Sequence, residues 1–130
     1  MSRLDSFLKV NVKDSERTKD VFVSDRFEAP VTIKLLSPKE LSRCQEMSVS
    51  IRGKKPYFDS NVYNMEILKT AIVEPDLKDA QLQDSYGVMN EEDLINEMFT
   101  GAEFVRLTTL VNEFNSLDEG FNEKIDQAKN

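Results

Sequence analysis

The chain has 130 residues, 39% of them hydrophobic and 32% charged, a balance that favours one soluble domain with a real hydrophobic core. It has no histidine and a single cysteine, Cys44, which excludes internal disulfides, Cys/His zinc sites and histidine-dependent catalytic triads. The formal net charge of −7 divides into +3 for residues 1–60 (12 Lys and Arg against 9 Asp and Glu) and −10 for residues 61–130 (5 against 15). Because the acidic half repels phosphate backbones, we expect a protein partner with basic patches rather than nucleic acid, although acidity also serves solubility alone.

The chain shows no sign of insertion into a membrane. No apolar run approaches the roughly 20 residues that a spanning helix needs. The first twenty residues contain no continuous apolar stretch followed by a small-residue cleavage site, so we see no secretory signal. We therefore expect a cytoplasmic protein with no membrane partner.

The N-terminal part predicts an arm followed by a β-hairpin. Residues 1–19 are predicted to form the arm, with one short amphipathic turn opened by Ser2 and by Asp5 three residues later. Alternating apolar residues in VFVSDRF and VTIKLL then predict two strands, a hairpin over 20–36 with a short turn at 28–30. Two strands alone are only marginally stable, so we expect helices to cover one face.

Helical periodicity dominates the rest of the chain. SPKE, from Ser37 to Glu40, combines a serine cap, a proline at the first helical position and a glutamate that completes a capping box. TGAE, from Thr100, repeats this box and predicts a helix break at Gly101. The longest apolar stripe begins at Val105. The predicted helices are 38–49, 60–73, 76–86, 91–99 and 102–117.

These elements predict an α+β fold that is mostly α. A single globular domain over 20–117 would pack the N-terminal hairpin on a bundle of about four to five helices, followed by a polar tail over 118–130. Cys44 lies at helical spacing from Leu41, so we predict a small core or boundary residue rather than a reactive thiol.

The segment IRGKKPYF is predicted to be a loop because it contains Gly53 and Pro56. Its three cations stand beside Tyr57 and Phe58 and form the only basic and aromatic cluster of the chain. Such a cluster could touch nucleic acid, but one short cluster in an acidic protein favours a solvated loop.

The stretch EPDLKDAQLQDSYG, residues 74–87, resembles a metal loop in its acidity alone. Counted from Asp76, a calcium loop would need an oxygen ligand third, a glycine sixth and a glutamate twelfth, but lysine, glutamine and glycine stand there. Helix termination and capping explain the same residues. Pro75 ends one helix, Asp76 caps the next with Asp79 in its first turn, and Gly87 terminates that helix.

Nothing in the sequence predicts an enzyme. Carboxylates cluster at Glu91, Glu92 and Asp93, but runs at a helix start are normally solvated caps. No glycine-rich phosphate loop and no nucleophile elbow accompanies them. We expect no catalytic, cofactor-binding or metal-binding residues.

Four segments occur in a characteristic order: LDSFLKVNV, VFVSDRF, VTIKLLSPKE and VEPDLKDAQLQDSYGV, the last being the most specific. In this order they resemble the tail assembly chaperones of the PBSX type, from phages and prophages of Gram-positive bacteria. GAEFVRLTTLV is similar to the glycine-glutamate helix that follows in the family, with Ala102 inserted between Gly101 and Glu103. The resemblance extends from residue 4 to about residue 115 and departs from the family at the short EAP turn and at RGKKPYF.

The resemblance implies a non-enzymatic chaperone that binds the long, coiled-coil tape measure protein and keeps it soluble until tail tube subunits polymerise around it. The tail tube protein is a further candidate partner. A small acidic helical protein can cover apolar heptad seams while it raises the net charge of the complex. The candidate partner-binding residues, on the acidic half and the exposed side of the last helix, are Leu82, Tyr86, Glu113, Asp118, Glu119 and Phe121.

Leu82 and Tyr86 fit a core role better than a binding role. Two other classes of function also fit the composition: a small acidic bacterial adaptor, and a structural virion protein such as a connector or tail completion protein. Both would act by protein–protein binding, but a virion protein would remain in purified particles, whereas a chaperone of this type would be absent from them.

Overall fold

A computed structural model describes residues 2–13 and 16–117. Within these residues, a short helix and a 3-10 turn precede a core of helices on a small antiparallel sheet, with a second hairpin beside it. The elements in chain order are α1 Arg3–Phe7, a 3-10 turn at Lys9–Asn11, β1 Thr18–Val21, β2 Val31–Lys34, α2 Pro38–Met47, β3 Val49–Arg52, β4 Lys55–Phe58, α3 Ser60–Ala71, β5 Ile72–Glu74, α4 Ala80–Ser85, α5 Glu91–Met98 and α6 Gly101–Phe114. The predicted fold class, α+β and mostly α, is confirmed.

The main sheet has the strand order β1-β2-β5, and both pairings are antiparallel. Central strand β2 alternates as its sequence predicts, because Val31 and Ile33 are buried and the residues between them are half-buried. The predicted first strand, 21–27, is wrong in position: β1 ends at Val21, and a nine-residue connection over 22–30 replaces the short turn. That connection leaves the sheet because α6 binds two of its side chains, as described below.

Strand β5 is absent from the sequence prediction. The helix predicted over 60–73 begins after the cap Asp59 and ends at Ala71, and the next three residues extend along β2. Ile72 continues the apolar pattern of the helix, but it is buried in the sheet, where it pairs with Ile33. A three-residue strand that directly follows a helix leaves no periodicity of its own.

The predicted loop at 51–58 is a β-hairpin, and this expectation was therefore wrong. Helix α2 ends at Met47, two residues earlier than predicted, and β3 pairs with β4 from Val49↔Phe58 to Arg52↔Lys55. Gly53 and Lys54 form the turn, with Gly53 at a φ of +67°. A two-residue turn with glycine in the first position matches the twist of paired strands, which explains why the segment folds back at that point.

The capping signals place the helix starts. Ser2, Ser37 and Thr100 each form the predicted capping box. Helix α4 starts later than the predicted residue 76, because its cap is Asp79, whose Oδ1 accepts a hydrogen bond from the Leu82 amide at 2.9 Å.

One predicted cap, Asp76, and one further predicted boundary, the end of the last helix, differ from the structure. Asp76 instead accepts from the Lys78 amide in the turn before α4, and Gly87 adopts the predicted left-handed conformation after it. Helix α6 ends at Phe114 rather than 117. Asn115 is the C-cap residue there: its side chain accepts from the Leu36 amide at 2.7 Å and donates to the carbonyl of Lys34, the last residue of β2, at 3.3 Å.

The core lies between the sheet and helices α3, α5 and α6. Cys44 is fully buried, as predicted for a core residue. The predicted apolar stripe of the last helix is wrong at Val105. This residue is 64% exposed, while Leu107 and Val111 of the same helix are fully buried. The fully buried aliphatic side chains are Ile33, Ile67, Leu68, Leu94, Ile95, Leu107 and Val111.

Helix α1 has no buried residue, and Phe7 on it is largely exposed. Within the described residues, no helix is both long and apolar enough to cross a membrane.

Candidate interaction surface

Two of the predicted binding residues lie together in a groove beside α4. Leu82 is half-buried against the core, and Tyr86 keeps 37% of its surface exposed. They line a groove of about 460 Å³ together with Phe27, Pro30 and Phe99. Leu82 therefore has the predicted core contact, and both side chains also border an open apolar surface. We call these five residues the α4 groove.

The outer wall of the α4 groove, the 22–30 connection, is held in place by Glu103 of α6. Arg26 donates from Nε to Oε2 at 3.0 Å and from Nη2 to Oε1 at 2.6 Å, and the Ser24 hydroxyl donates to Oε2. The Thr100 amide donates to Oε1 at 2.8 Å and completes the capping box. Nη2 of Arg26 also donates to the Met98 carbonyl at 2.9 Å, so one guanidinium joins the connection to both α5 and α6.

These hydrogen bonds fix the charge state of the pair. The bonds from Arg26, then Ser24, then the Thr100 amide lower the pKa of Glu103 well below its ordinary value, although burial opposes the shift. Glu103 in turn raises the pKa of Arg26. Both shifts favour the ionised forms, so the pair that holds the groove wall keeps both of its charges near neutral pH.

The acidic candidates are only partly described. Glu113 is exposed on α6, as a contact residue would have to be. Asp118, Glu119 and Phe121 lie outside the described residues, so the structure does not bring them together with Glu113. The acidic surface predicted for the C-terminal half stays a prediction.

The carboxylates of Glu91, Glu92 and Asp93 lie in the first turn of α5. Asn90 accepts from the Asp93 amide at 2.8 Å at the start of α5, where negative side chains are favourable against the helix dipole. Over residues 2–13 and 16–117, no three Asp, Glu or Cys side chains converge in a way that could hold a metal ion.

The β3–β4 hairpin carries an exposed apolar surface that sequence reasoning missed. Residues paired across the strands share a face, which gives one polar face and one apolar face. Ser50, Arg52, Lys55 and Tyr57 form the polar face. The apolar face, which we call the hairpin face, consists of Val49, Ile51, Pro56 and Phe58.

The hairpin face is exposed over its whole length. Ile51, near the turn, is 77% exposed, and Val49 and Phe58 at the base are about half exposed. Only the base is anchored: the Asp59 amide donates to the Ser48 carbonyl at 2.8 Å, and the Phe58 ring lies 5.5 Å from the ring of Tyr63.

A local signal for this hairpin does exist in the sequence. VSIR and KPYF flank a Gly-Lys pair, and two short runs around a two-residue turn that begins with glycine are typical of a type II′ hairpin. Gly53 and Pro56 also fit a loop, because proline weakens a strand assignment. Proline is nevertheless tolerated on an edge strand, and both strands of a two-stranded sheet are edges.

Comparison with known proteins identifies the family. A family model described as Phage XkdN-like tail assembly chaperone protein matches residues 4–129, nearly the whole chain. The chain belongs to this family. Membership in the tail assembly chaperone family confirms the resemblance that the segments around VEPDLKDAQLQDSYGV indicated.

The fold is also found in a solved structure. The crystal structure of the protein YqbN is similar with a TM-score of 0.71 and 18% sequence identity, over 89% of this chain and 98% of that chain. At this identity the likeness concerns the fold alone. No curated protein matches the chain.

Proposed function

We propose that this member of the tail assembly chaperone family acts without catalysis, by binding the tape measure protein of its phage and keeping it soluble during tail morphogenesis in the host cytoplasm. The observation that carries the proposal is the family match over residues 4–129. A tape measure protein is expected to expose apolar heptad seams, which aggregate unless they are covered. A chaperone for such a partner needs apolar surface of its own.

The surface of the chain supports this proposal. The α4 groove offers an apolar depression of a helix-binding kind, in which Leu82 and Tyr86 can contact the apolar residues of an inserted helix. Its wall is already held by Glu103 and Arg26, so binding does not have to order the 22–30 connection first. The formal charge of −7 would raise the charge of the complex and oppose its aggregation.

Co-expression tests the proposal. The chain would be produced together with the long coiled-coil protein encoded just downstream, and the soluble fraction of that protein and its co-purification would be measured. We expect the long protein to become soluble and to co-purify. If it stays insoluble and unbound, the chaperone assignment is wrong and the adaptor and virion alternatives gain support.

Matched variants test where the partner binds. Tyr86→Ser shortens an exposed groove side chain, and Glu113→Lys reverses a charge of the proposed acidic surface. Glu46→Lys makes the same charge change at an exposed position of α2 and is the control. We expect the first two to weaken co-purification and the control to retain it. Adding Asp118→Lys and Glu119→Lys to the Glu113 variant should weaken binding further.

Purified particles separate the chaperone from the virion alternative. Mass spectrometry of mature phage should detect the tape measure protein and lack this chain. Stoichiometric recovery of the chain with the particles would instead support a structural virion protein.

A further inference from the structure

We propose that the hairpin face is a second docking surface, for a helix of the tape measure protein whose apolar stripe is flanked by carboxylates. This inference rests on the proposed function. It adds a basic contact surface to the proposed acidic surface that includes Glu113. It concerns a segment whose fold the sequence did not reveal.

The apolar residues of the hairpin face are poorly explained by folding alone. Ile51 contributes little to the core, because more than three quarters of its side chain is exposed. The polar residues of the hairpin stand on the opposite face, so the two faces are segregated as in an element that packs against something. Met47 and Val62, on the helices before and after the hairpin, are also exposed and add apolar surface at its base.

The charge around the hairpin face determines which partner fits. Arg52, Lys54 and Lys55 surround the turn, and residues 49–58 contain no acidic residue. Within the described part of the chain, none of the three cations forms an ion pair. The Arg52 guanidinium instead lies 3.9 Å from the centre of the Tyr57 ring, which leaves its charge available. Lys54 lies in the turn, and Arg52 and Lys55 lie at the turn end of the polar face, so these cations attract carboxylates of a helix on the hairpin face over long range rather than by direct contact.

The shape of the hairpin favours a helix over an added strand. Four-residue strands are about 13 Å long, which matches two to three turns of a helix about 10 Å wide. Pro56 has no amide hydrogen, so β4 presents an incomplete edge to an incoming strand. The short, projecting hairpin therefore offers its face, rather than its edge, to a partner.

A second copy of the chain fits this surface less well. Each copy brings a formal charge of −7, so association of two copies is opposed over long range. The hairpin of a second copy also offers no carboxylate to these cations, because residues 49–58 contain no acidic residue.

The test compares hairpin variants with controls in the co-expression assay. Ile51→Ser removes the most exposed apolar side chain of the hairpin face, and Lys55→Glu reverses one of the three charges. Val10→Ser and Lys19→Glu make the same kinds of change at exposed positions of the N-terminal 3-10 turn and of β1, and they serve as controls. Circular dichroism and thermal melting of each purified variant check that folding is retained.

We expect Ile51→Ser to lower the co-purified tape measure protein by about tenfold, since an interfacial side chain is worth roughly 1.4 kcal/mol or more when it anchors a contact. Lys55→Glu should lower it by about threefold, because this charge acts over long range from the opposite face of the hairpin. The controls should stay within about twofold of the wild type. The Lys55→Glu effect should shrink as salt is raised, because the wild-type contact is itself screened.

Each other result overturns a distinct part of the reasoning. If the wild type solubilises its partner and the hairpin variants do so equally well, the hairpin assignment is wrong while the proposed function stands. If the wild-type chain does not bind the tape measure protein, both the proposed function and the hairpin assignment are wrong. If Ile51→Ser weakens binding but Lys55→Glu does not, the carboxylate requirement is wrong. If Ile51→Ser converts the isolated chain to a smaller species in light scattering, a second copy covers the face and the partner assignment is wrong.

Discussion

Two substitutions on α6, Leu107→Ala and Val105→Ala, test the orientation of that helix in the core. The sequence stripe places both side chains inside, whereas the structure buries Leu107 completely and leaves Val105 64% exposed. Leu107→Ala should cost about 3 kcal/mol of unfolding free energy, from lost transfer energy and the cavity that remains. For a chain of this size, that loss lowers the melting temperature by about 10 °C.

Val105→Ala should change stability by less than about 0.5 kcal/mol. Covering roughly a third of a valine contributes about 0.7 kcal/mol, taken from a full burial value near 2 kcal/mol. Alanine recovers about 0.5 kcal/mol because a β-branched side chain is less favourable in a helix. Urea unfolding followed by circular dichroism measures both variants on one scale. A loss above 1 kcal/mol for Val105→Ala, or a neutral Leu107→Ala, would show that α6 packs differently.

Three further predictions concern polar contacts. Because the pKa of Glu103 is lowered in the folded state, its pair with Arg26 stabilises the protein above the ordinary carboxyl pKa of 4.5, and this stability is lost as the pH falls. The urea midpoint of Glu103→Gln should therefore change less between pH 7 and pH 3 than that of the wild type. An equal change of midpoint in the two proteins would contradict this. Asn115→Ala leaves the Leu36 amide without its acceptor and should cost about 2 kcal/mol in urea unfolding, whereas an effect below 0.5 kcal/mol would mean that water replaces the bond. Asp79→Ala removes the cap of α4 and should cost about 1 kcal/mol in the same assay, and no loss would place the cap elsewhere.

The helix starts could be predicted because their signals are local. The boxes opened by Ser37 and Thr100 each lie within four residues, and the structure shows both. Strand β5 could not be predicted in this way. It is three residues long and is defined by its pairing with β2, some forty residues earlier in the chain. Short strands of this kind are specified by their partner rather than by their own pattern.

The misplaced first strand has a similar cause. Val23 and Phe27 continue the alternation of VFVSDRF, and both do face the core. Their neighbours Ser24 and Arg26, however, bind Glu103, which is 79 and 77 residues away in sequence. An ion pair across that separation, between a half-exposed arginine and a buried glutamate, carries no signal in a window of seven residues, yet it holds the chain away from the sheet there.

The candidate surface was predicted in part. The sequence named Leu82 and Tyr86, and the structure places both in the α4 groove. It missed the hairpin face because the same glycine and proline that favour a loop also fit a type II′ turn with an edge-strand proline.

The two apolar surfaces share a property that bears on how a chaperone of this size could work. The groove wall is fixed by the Glu103 network, and the base of the hairpin is fixed by Ser48, whose hydroxyl donates to the Cys44 carbonyl at 2.6 Å. Surfaces that are already formed cost little conformational entropy on binding, so a modest contact area can still hold a partner. Because Tyr86 and Ile51 are exposed, their substitution can weaken binding while folding is retained. This separation is what makes the proposed contacts testable one at a time.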